Sequence, residues 1–170
     1  MNEHIRQAMD DEIEALFPLL LLAERWAPAL RWGLAHMVDA VYQMDDPASG
    51  APIAAATLQW RGDTAEIIEL AVDPNQQGRG VGRSMIEWII AEARHRSKIR
   101  LIVGTPSVSA GNIIFYQKCG FRPHEIRRDY FSYYRTPILE NGLPLRDMLV
   151  FSYDLTPAAV PGTRRAERGR

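Results

Sequence analysis

Three glycines at alternate positions, Gly78, Gly80 and Gly82, stand between a predicted strand and a predicted helix. Glycine allows backbone N–H groups to converge on an anion, and the first turn of a helix adds unpaired N–H groups and a positive dipole end. Arg79 and Arg83 bring positive charge to the same segment. The alternative is a glycine-rich turn with solvated arginines. The position between a strand and a helix favours a phosphate-binding loop.

Two common phosphate-binding motifs are excluded at particular positions. A P-loop would need glycine at position 77 and lysine at position 83, where the chain has Gln77 and Arg83. A dinucleotide-binding fingerprint would need a third glycine at position 85, where the chain has Met85. The loop therefore serves another class of phosphate ligand.

The segment 77–82, Gln-Gly-Arg-Gly-Val-Gly, resembles the pyrophosphate loop of the GNAT superfamily of N-acetyltransferases, Gln/Arg-x-x-Gly-x-Gly/Ala. The preceding residues 70–74, Leu-Ala-Val-Asp-Pro, are similar to the strand and turn that lead into that loop. A second motif over 112–121 resembles the superfamily's later signature of an asparagine, a tyrosine and a final Gly-Phe pair. In this chain Asn112 stands only four residues before Tyr116. The chain is similar in particular to a bacterial subgroup of small GNAT proteins.

The resemblance implies a mixed α/β domain of the GNAT fold. Its sheet is expected to be twisted, largely antiparallel and flanked by helices, with two central parallel strands that splay apart where acetyl-CoA enters. The implied function is an acyl-CoA-dependent N-acetyltransferase that moves the acetyl group to a primary amine by direct attack in a ternary complex. The acceptor would be a small molecule or a peptide, and no metal is implied. The residues implied to bind acetyl-CoA are Leu70, Ala71, Val72, Gln77, Gly78, Arg79, Gly80, Val81, Gly82, Arg83, Ser84, Asn112 and Tyr116.

Acetyl transfer to an amine needs a base for the amine proton, N–H donors for the oxyanion and an acid for the departing thiolate. By resemblance, Glu66 takes the position of a catalytic glutamate, and Glu69 lies nearer the acetyl group on the same predicted strand. Strict alternation puts the two glutamates on opposite faces, whereas a β-bulge would change that. We rank Glu66 first. Tyr116 matches the family's acid, and the alternative is that it packs with Phe115 and Phe121.

Apolar periodicity predicts the elements that hold these residues. An amphipathic helix is expected directly after the loop, with Ile86, Ile89, Ile90 and Ala93 on one face. Two helices are predicted before the first long strand, and a later helix ends at Cys119. Apolar runs bounded by turn residues predict strands. The predicted strands are 4–8, 40–44, 52–60, 65–72, 98–104, 121–128 and 148–155.

Length and composition limit the remaining classes. The 170 residues fit one domain, predicted over 1–155, followed by an Arg-, Pro- and Gly-rich tail over 156–170 that we expect to be disordered. The net charge of -1 gives no general case for binding nucleic acid or a membrane. A polar, acidic start, a single cysteine and the absence of a long apolar run indicate a cytoplasmic protein. The histidines show no metal-ligand spacing.

The sequence leaves the acceptor side open. Trp26 and Trp32 lie in the early helical region, and residues 130–134 form an aromatic cluster ahead of the last strand. These rings suit a cation–π surface for an amine, and they equally suit the buried part of a homodimer contact. A different function, a non-catalytic acyl-CoA-binding regulatory module, would keep the loop and lose the base and the acid. Because both glutamates and the tyrosine are present, the sequence favours the enzyme.

Overall fold

The apolar patterns become helices and strands within residues 4–156, the part of the chain that the computed structural model describes. In chain order the elements are β1 (Ile5–Gln7), α1 (Ile13–Leu20), α2 (Ala27–His36), β2 (Ala40–Asp45), β3 (Pro52–Arg61), β4 (Thr64–Val72), α3 (Val81–His95), β5 (Arg100–Pro106), α4 (Ala110–Lys118), β6 (Arg122–Arg127), β7 (Leu139–Glu140), β8 (Leu143–Pro144) and β9 (Met148–Asp154). Short 3-10 helices occupy Pro74–Gln76 and Tyr130–Tyr133. Apart from Thr156, the predicted tail 156–170 lies outside the described residues.

One sheet of seven strands carries the domain, in the order β1-β2-β3-β4-β5-β9-β6. Every neighbouring pair is antiparallel except β4 and β5, which run parallel. Parallel strands need a crossover connection, and α3 supplies it between β4 and β5. β7 and β8 form a separate hairpin that the sequence did not predict. The expected mixed α/β architecture, largely antiparallel with one central parallel pair, is confirmed.

The main core lies between the sheet and α3. Ile86, Ile89, Ile90 and Ala93 are all buried on the inner face of this helix, as the spacing predicts. They pack against side chains of the central strands in a single cluster. Burial of each such aliphatic side chain stabilises the fold by about 1.5–3 kcal/mol. This core fixes where α3 begins, and therefore where the glycine loop that precedes it lies.

A second, smaller core covers the opposite face of the sheet. Leu16, Leu20 and Leu30, from α1 and α2, pack there against Val41 and Ala55 of the sheet. In β3, the residues on either side of Ala55 belong to the main core, so this central strand is buried on both faces. Its alanines keep the strand thin and allow helices to approach from both sides. The two helical layers thus cover opposite ends of any gap through the sheet.

Replacing Ile89 by alanine tests the main core. The substitution should lower the free energy of unfolding by about 2–5 kcal/mol, because it removes apolar contacts and leaves a cavity. Ile114→Ala is the matched control, since Ile114 is also a helical isoleucine but is 53% exposed. We expect it to change stability by less than about 0.5 kcal/mol. Equilibrium urea unfolding measures both, and equal losses would contradict the assignment of the core.

Candidate active site

The parallel pair β4–β5 is hydrogen-bonded over only part of its length. Pairing joins residues 64–67 of β4 to residues 100–103 of β5. Both strands continue further, β4 to Val72 and β5 to Pro106, without pairing to each other. After Ile67, the N–H and C=O groups of β4 that point toward β5 therefore form no hydrogen bonds to that strand. The prediction that the central parallel strands splay apart is confirmed.

Two cavities meet at this splay. The first, which we term the loop cavity, encloses about 420 Å³ between the glycine loop and α4. The second, the central cavity, encloses about 260 Å³ between the ends of β4 and β5 and reaches the turn after α1. The residues that line both are Leu70, Val72, Gln77, Asn112 and Tyr116. A molecule bound in the loop cavity can therefore extend into the central cavity through the gap between the strands.

The glycine loop has the backbone shape that the sequence predicts for an anion site. Gly78 and Gly80 have φ angles of 75° and 85°, in the left-handed region that other residues rarely adopt. A Cβ on Gly82 would lie 3.3 Å from the Phe115 ring, so glycine there permits close packing of α3 on α4. The first-turn N–H groups of α3 have no intrahelical acceptor and face the loop cavity with the positive end of the helix dipole.

Most of the residues predicted to bind acetyl-CoA line one of these two cavities. The exceptions are Arg79, which is exposed, and Ser84, whose backbone N–H donates to Gly80 within the helix. Three residues that the sequence did not single out as ligand contacts also line the loop cavity: Phe115, Lys118 and Cys119. They follow Asn112 at helical spacing, so their position on the same side of α4 could have been predicted from the sequence.

Tyr116 packs in the core and also lines the candidate site. Its ring packs against Phe121 and Phe151, with centroid distances of 5.8 and 6.3 Å, and the residue is 7% exposed. The same residue lines both the loop cavity and the central cavity. Burial raises the pKa of Tyr116 above its ordinary value, so the hydroxyl keeps its proton at neutral pH. A protonated, tightly packed hydroxyl group therefore lies at the junction of the two cavities.

A β-bulge in β4 places the two candidate glutamates on the same face of the sheet. Ile67 pairs with Leu58 of β3, and Glu69 pairs with the next residue, Thr57, which leaves Ile68 as the extra residue. Residues 67 and 70 accordingly both pack in the core under α3, although regular alternation would separate them. By the same shift, residues 66 and 69 both face the layer of α1 and α2. The buried Thr57 hydroxyl accepts a hydrogen bond from the backbone N–H of Glu69 at 3.0 Å, so this N–H has a partner at the bulge.

The two glutamates nevertheless have different surroundings. Glu66 forms an ion pair with Arg127 of β6 at 3.1 Å, and it lines neither the loop cavity nor the central cavity. Glu69 is only 9% exposed and lines the central cavity. Within residues 4–156 its Oε2 atom has no hydrogen-bond partner. Burial, together with the negative charge of Glu24, raises the pKa of Glu69 to about 8.

A third cavity, the aromatic cavity, adjoins the central cavity on the side of α2. It encloses about 590 Å³, and Trp26, Trp32, Tyr130 and Tyr133 form much of its wall. Glu24, Glu69 and both tyrosines line the central cavity as well as the aromatic cavity. The aromatic residues that the sequence singled out thus surround a space that continues to the Glu69 carboxyl group.

Residues 4–156 contain no cluster of three or more His, Cys, Asp or Glu side chains that could hold a metal ion. Burial raises the pKa of the Cys119 thiol, which makes it a poor nucleophile. None of the helices between residues 4 and 156 is both long and apolar enough to cross a membrane.

The fold and the loop have counterparts among known proteins. Residues 39–123 match the profile of the acetyltransferase (GNAT) domain family. The chain is 35% identical over 99 residues to YvbK of Bacillus subtilis, an uncharacterized N-acetyltransferase. That alignment covers 58% of this chain and 64% of YvbK, so the chain spans less than two thirds of that relative.

Two solved structures align over nearly their whole length. An IAA acetyltransferase from Bacillus cereus has 31% sequence identity and a TM-score of 0.78, with 88% of this chain and 97% of that chain covered. A GNAT family acetyltransferase from Elizabethkingia anophelis with acetyl-CoA bound has 28% identity and a TM-score of 0.81, with 88% and 96% covered. The structural likeness therefore extends well beyond residues 39–123.

The high pKa of Glu69 predicts a pH-dependent stability. Because the folded-state pKa is about 8 against an ordinary 4.5, the folded protein holds this proton more tightly than the unfolded chain. The stabilisation is complete below the ordinary pKa and is lost as pH rises through the folded-state value. Relative to Glu69→Gln, which cannot ionise, the wild type should lose free energy of unfolding between about pH 5 and pH 9. Urea unfolding of both proteins across this range measures the loss, and a constant difference would contradict the buried environment.

Proposed function

Because the chain belongs to the acetyltransferase (GNAT) domain family, we propose that it transfers an acetyl group from acetyl-CoA to a primary amine by direct attack in a ternary complex. One observation carries this proposal: the loop cavity and the central cavity meet at the splay, beside a buried carboxyl group and a buried phenol. Two substrates can therefore occupy the protein at once, with their reacting ends together and the catalytic groups at the junction.

The loop cavity suits the donor. We place the pyrophosphate of acetyl-CoA at the glycine loop, where helix N–H groups and the cations Arg83 and Lys118 offset its charge. The pantetheine arm would follow the gap between β4 and β5, where unpaired strand groups offer hydrogen bonds like those of an added strand. The thioester would then lie beside Leu70, Ala71 and Val72, whose backbone N–H groups are the candidates for stabilising the oxyanion.

At neutral pH the amine is mostly protonated, so it must lose one proton before the attack and a second one after it, while the thiolate gains one. We assign the first step to Glu69, whose carboxylate takes a proton from the ammonium group and so frees the nitrogen lone pair for its bond to the acetyl carbon. The tetrahedral intermediate collapses with cleavage of the C–S bond, the Tyr116 hydroxyl gives its proton to the departing sulfur, and the resulting phenolate takes the second proton from the acetylated nitrogen. Glu69 is preferred to Glu66 because it lines the central cavity and its Oε2 has no hydrogen-bond partner within residues 4–156, whereas Glu66 is held by Arg127.

A negative charge in the loop tests the donor site. Gly80→Asp should weaken acetyl-CoA binding at least tenfold, about 1.4 kcal/mol, because a carboxylate would repel the pyrophosphate and close the approach to the backbone. Gly62→Asp is the matched control. Like Gly80, Gly62 has a positive φ angle and open space where a Cβ would lie, but it stands in the turn between β3 and β4. Calorimetric titration measures both, and equal affinities in the two folded variants would contradict the assignment of the loop.

Removing the base tests the transfer itself. With acetyl-CoA and a panel of primary amines, the wild type should release CoA faster as pH rises toward about 8, where Glu69 ionises. Glu69→Gln should lower turnover by about 10²-fold or more at neutral pH, and by less at high pH, where the amine loses its own proton. Glu66→Gln, the control on the same strand, should lower it less.

The outcome separates the proposed enzyme from the non-catalytic alternative. CoA release that requires an amine and depends on Glu69 supports the transferase. A larger loss in Glu66→Gln would move the base to that residue. Tight acetyl-CoA binding without CoA release from any amine would instead favour the acyl-CoA-binding regulatory module.

A further inference from the structure

Glu24 is a carboxylate fixed in place by three donors. Its Oε1 accepts the Trp26 backbone N–H at 2.9 Å and the Tyr134 hydroxyl at 2.6 Å, and its Oε2 accepts the Tyr133 hydroxyl at 2.9 Å. No lysine or arginine of residues 4–156 forms an ion pair with it. Within these residues, Glu24 is held in one orientation by neutral donors and has no paired cation.

The surroundings of this carboxylate are aromatic. Trp26 stacks on Tyr133 with a centroid distance of 6.0 Å, and Tyr133 lies 4.4 Å from Tyr134. Trp26 and Tyr133 also line the aromatic cavity, and Trp32 extends its wall. Ring faces attract cations, and their apolar area accommodates methylene groups. This wall suits an alkyl chain that ends in an ammonium group.

Acidic side chains outnumber basic ones around this space. Of the described residues that line the central and aromatic cavities, Arg25 alone is basic, and it is paired with Glu140 at 3.3 Å. Glu24 and Glu69 line both cavities, and the buried Oε2 of Glu69 has no partner among residues 4–156. An acceptor with a carboxylate would meet two acidic side chains and no free cation. An acceptor with two positive nitrogens would satisfy both acidic groups.

Resting on the proposed function, we propose that the acceptor is a small primary amine that carries a second cationic nitrogen and no carboxylate, as in an alkane diamine. The reacting nitrogen lies at Glu69 and gives up its proton there. The second nitrogen remains charged, pairs with Glu24 and contacts the rings of Trp26 and Tyr133. The methylene groups between the two nitrogens lie along the aromatic wall. Glu24 is thus a specificity-determining residue rather than a catalytic one.

A matched substrate series tests this inference. The probes are 1,3-diaminopropane, 1,4-diaminobutane and 1,5-diaminopentane, each beside the alkylamine and the amino-carboxylate of the same chain length. For the best diamine, kcat/KM should exceed that of its alkylamine at least tenfold, well above the twofold advantage of having two equivalent amines. It should exceed that of the amino-carboxylate by a larger factor. An alkylamine or amino-carboxylate that equals the diamine would overturn the proposal, whatever the behaviour of any variant.

Two variants test whether Glu24 causes the preference for a diamine over an alkylamine. Glu24→Gln should reduce the diamine-to-alkylamine ratio toward two while the protein still acetylates the alkylamine, which also shows that it is folded. Glu14→Gln is the control, because Glu14 is an exposed glutamate of α1 that pairs with Arg31 and lines none of the three cavities. It should keep the wild-type ratio. An unchanged ratio in Glu24→Gln would contradict the role of Glu24.

Binding measurements separate this inference from the transferase itself. Calorimetric titration of the diamine into the protein with CoA should show binding that weakens at least tenfold in Glu24→Gln. Such binding without acetylation of any amine would refute the proposed transferase and support the diamine site. Acetylation of all three probe types at similar kcat/KM would support the transferase and refute the diamine site.

Discussion

The arrangement of the site depends on the interrupted pairing of two parallel strands. Pairing between β4 and β5 stops after Ile67, and at the same point β4 takes in one extra residue opposite β3. The interruption opens a gap through a sheet that would otherwise be closed. The extra residue turns Glu69 toward the layer of α1 and α2, where it faces the central cavity. The fold tolerates the shortened pairing and the extra residue because side chains of β4 and β5 remain packed in the core beside α3. On the β3 side, the hydrogen bond to Thr57 holds β4 in place.

The gap also concentrates groups that are unfavourable for folding. A carboxyl oxygen of Glu69 is buried without a partner in the described part of the chain, and the nearby negative charge of Glu24 opposes its ionisation. An unsatisfied buried polar group costs about 1–3 kcal/mol. Such a group is typical of functional sites, where the substrate supplies the missing interaction. The rest of the domain, with two apolar cores on either side of the sheet, is large enough to tolerate this loss.

Much of the fold was predictable from the sequence because its signals are local. The spacing of Ile86, Ile89 and Ile90 indicated α3 and its buried face, and the glycines marked the loop before it. The bulge was not predictable, since it depends on the register between two strands rather than on any residue type. Glu66 was ranked first because its position resembles that of the family's catalytic glutamate, whereas the proposed function assigns the base to Glu69. Glu24 was not singled out by the sequence, because its two side-chain donors come from residues more than 100 positions later.

The passage through the sheet divides recognition between two faces. Helices α3 and α4 hold the loop cavity on one face, and α2 and the turn at Tyr130–Tyr133 hold the aromatic cavity on the other. The two sets of lining residues are separate and meet only through the central cavity. One face can diversify during evolution while the other is conserved, so a single scaffold can acquire new acceptors without rebuilding its donor site.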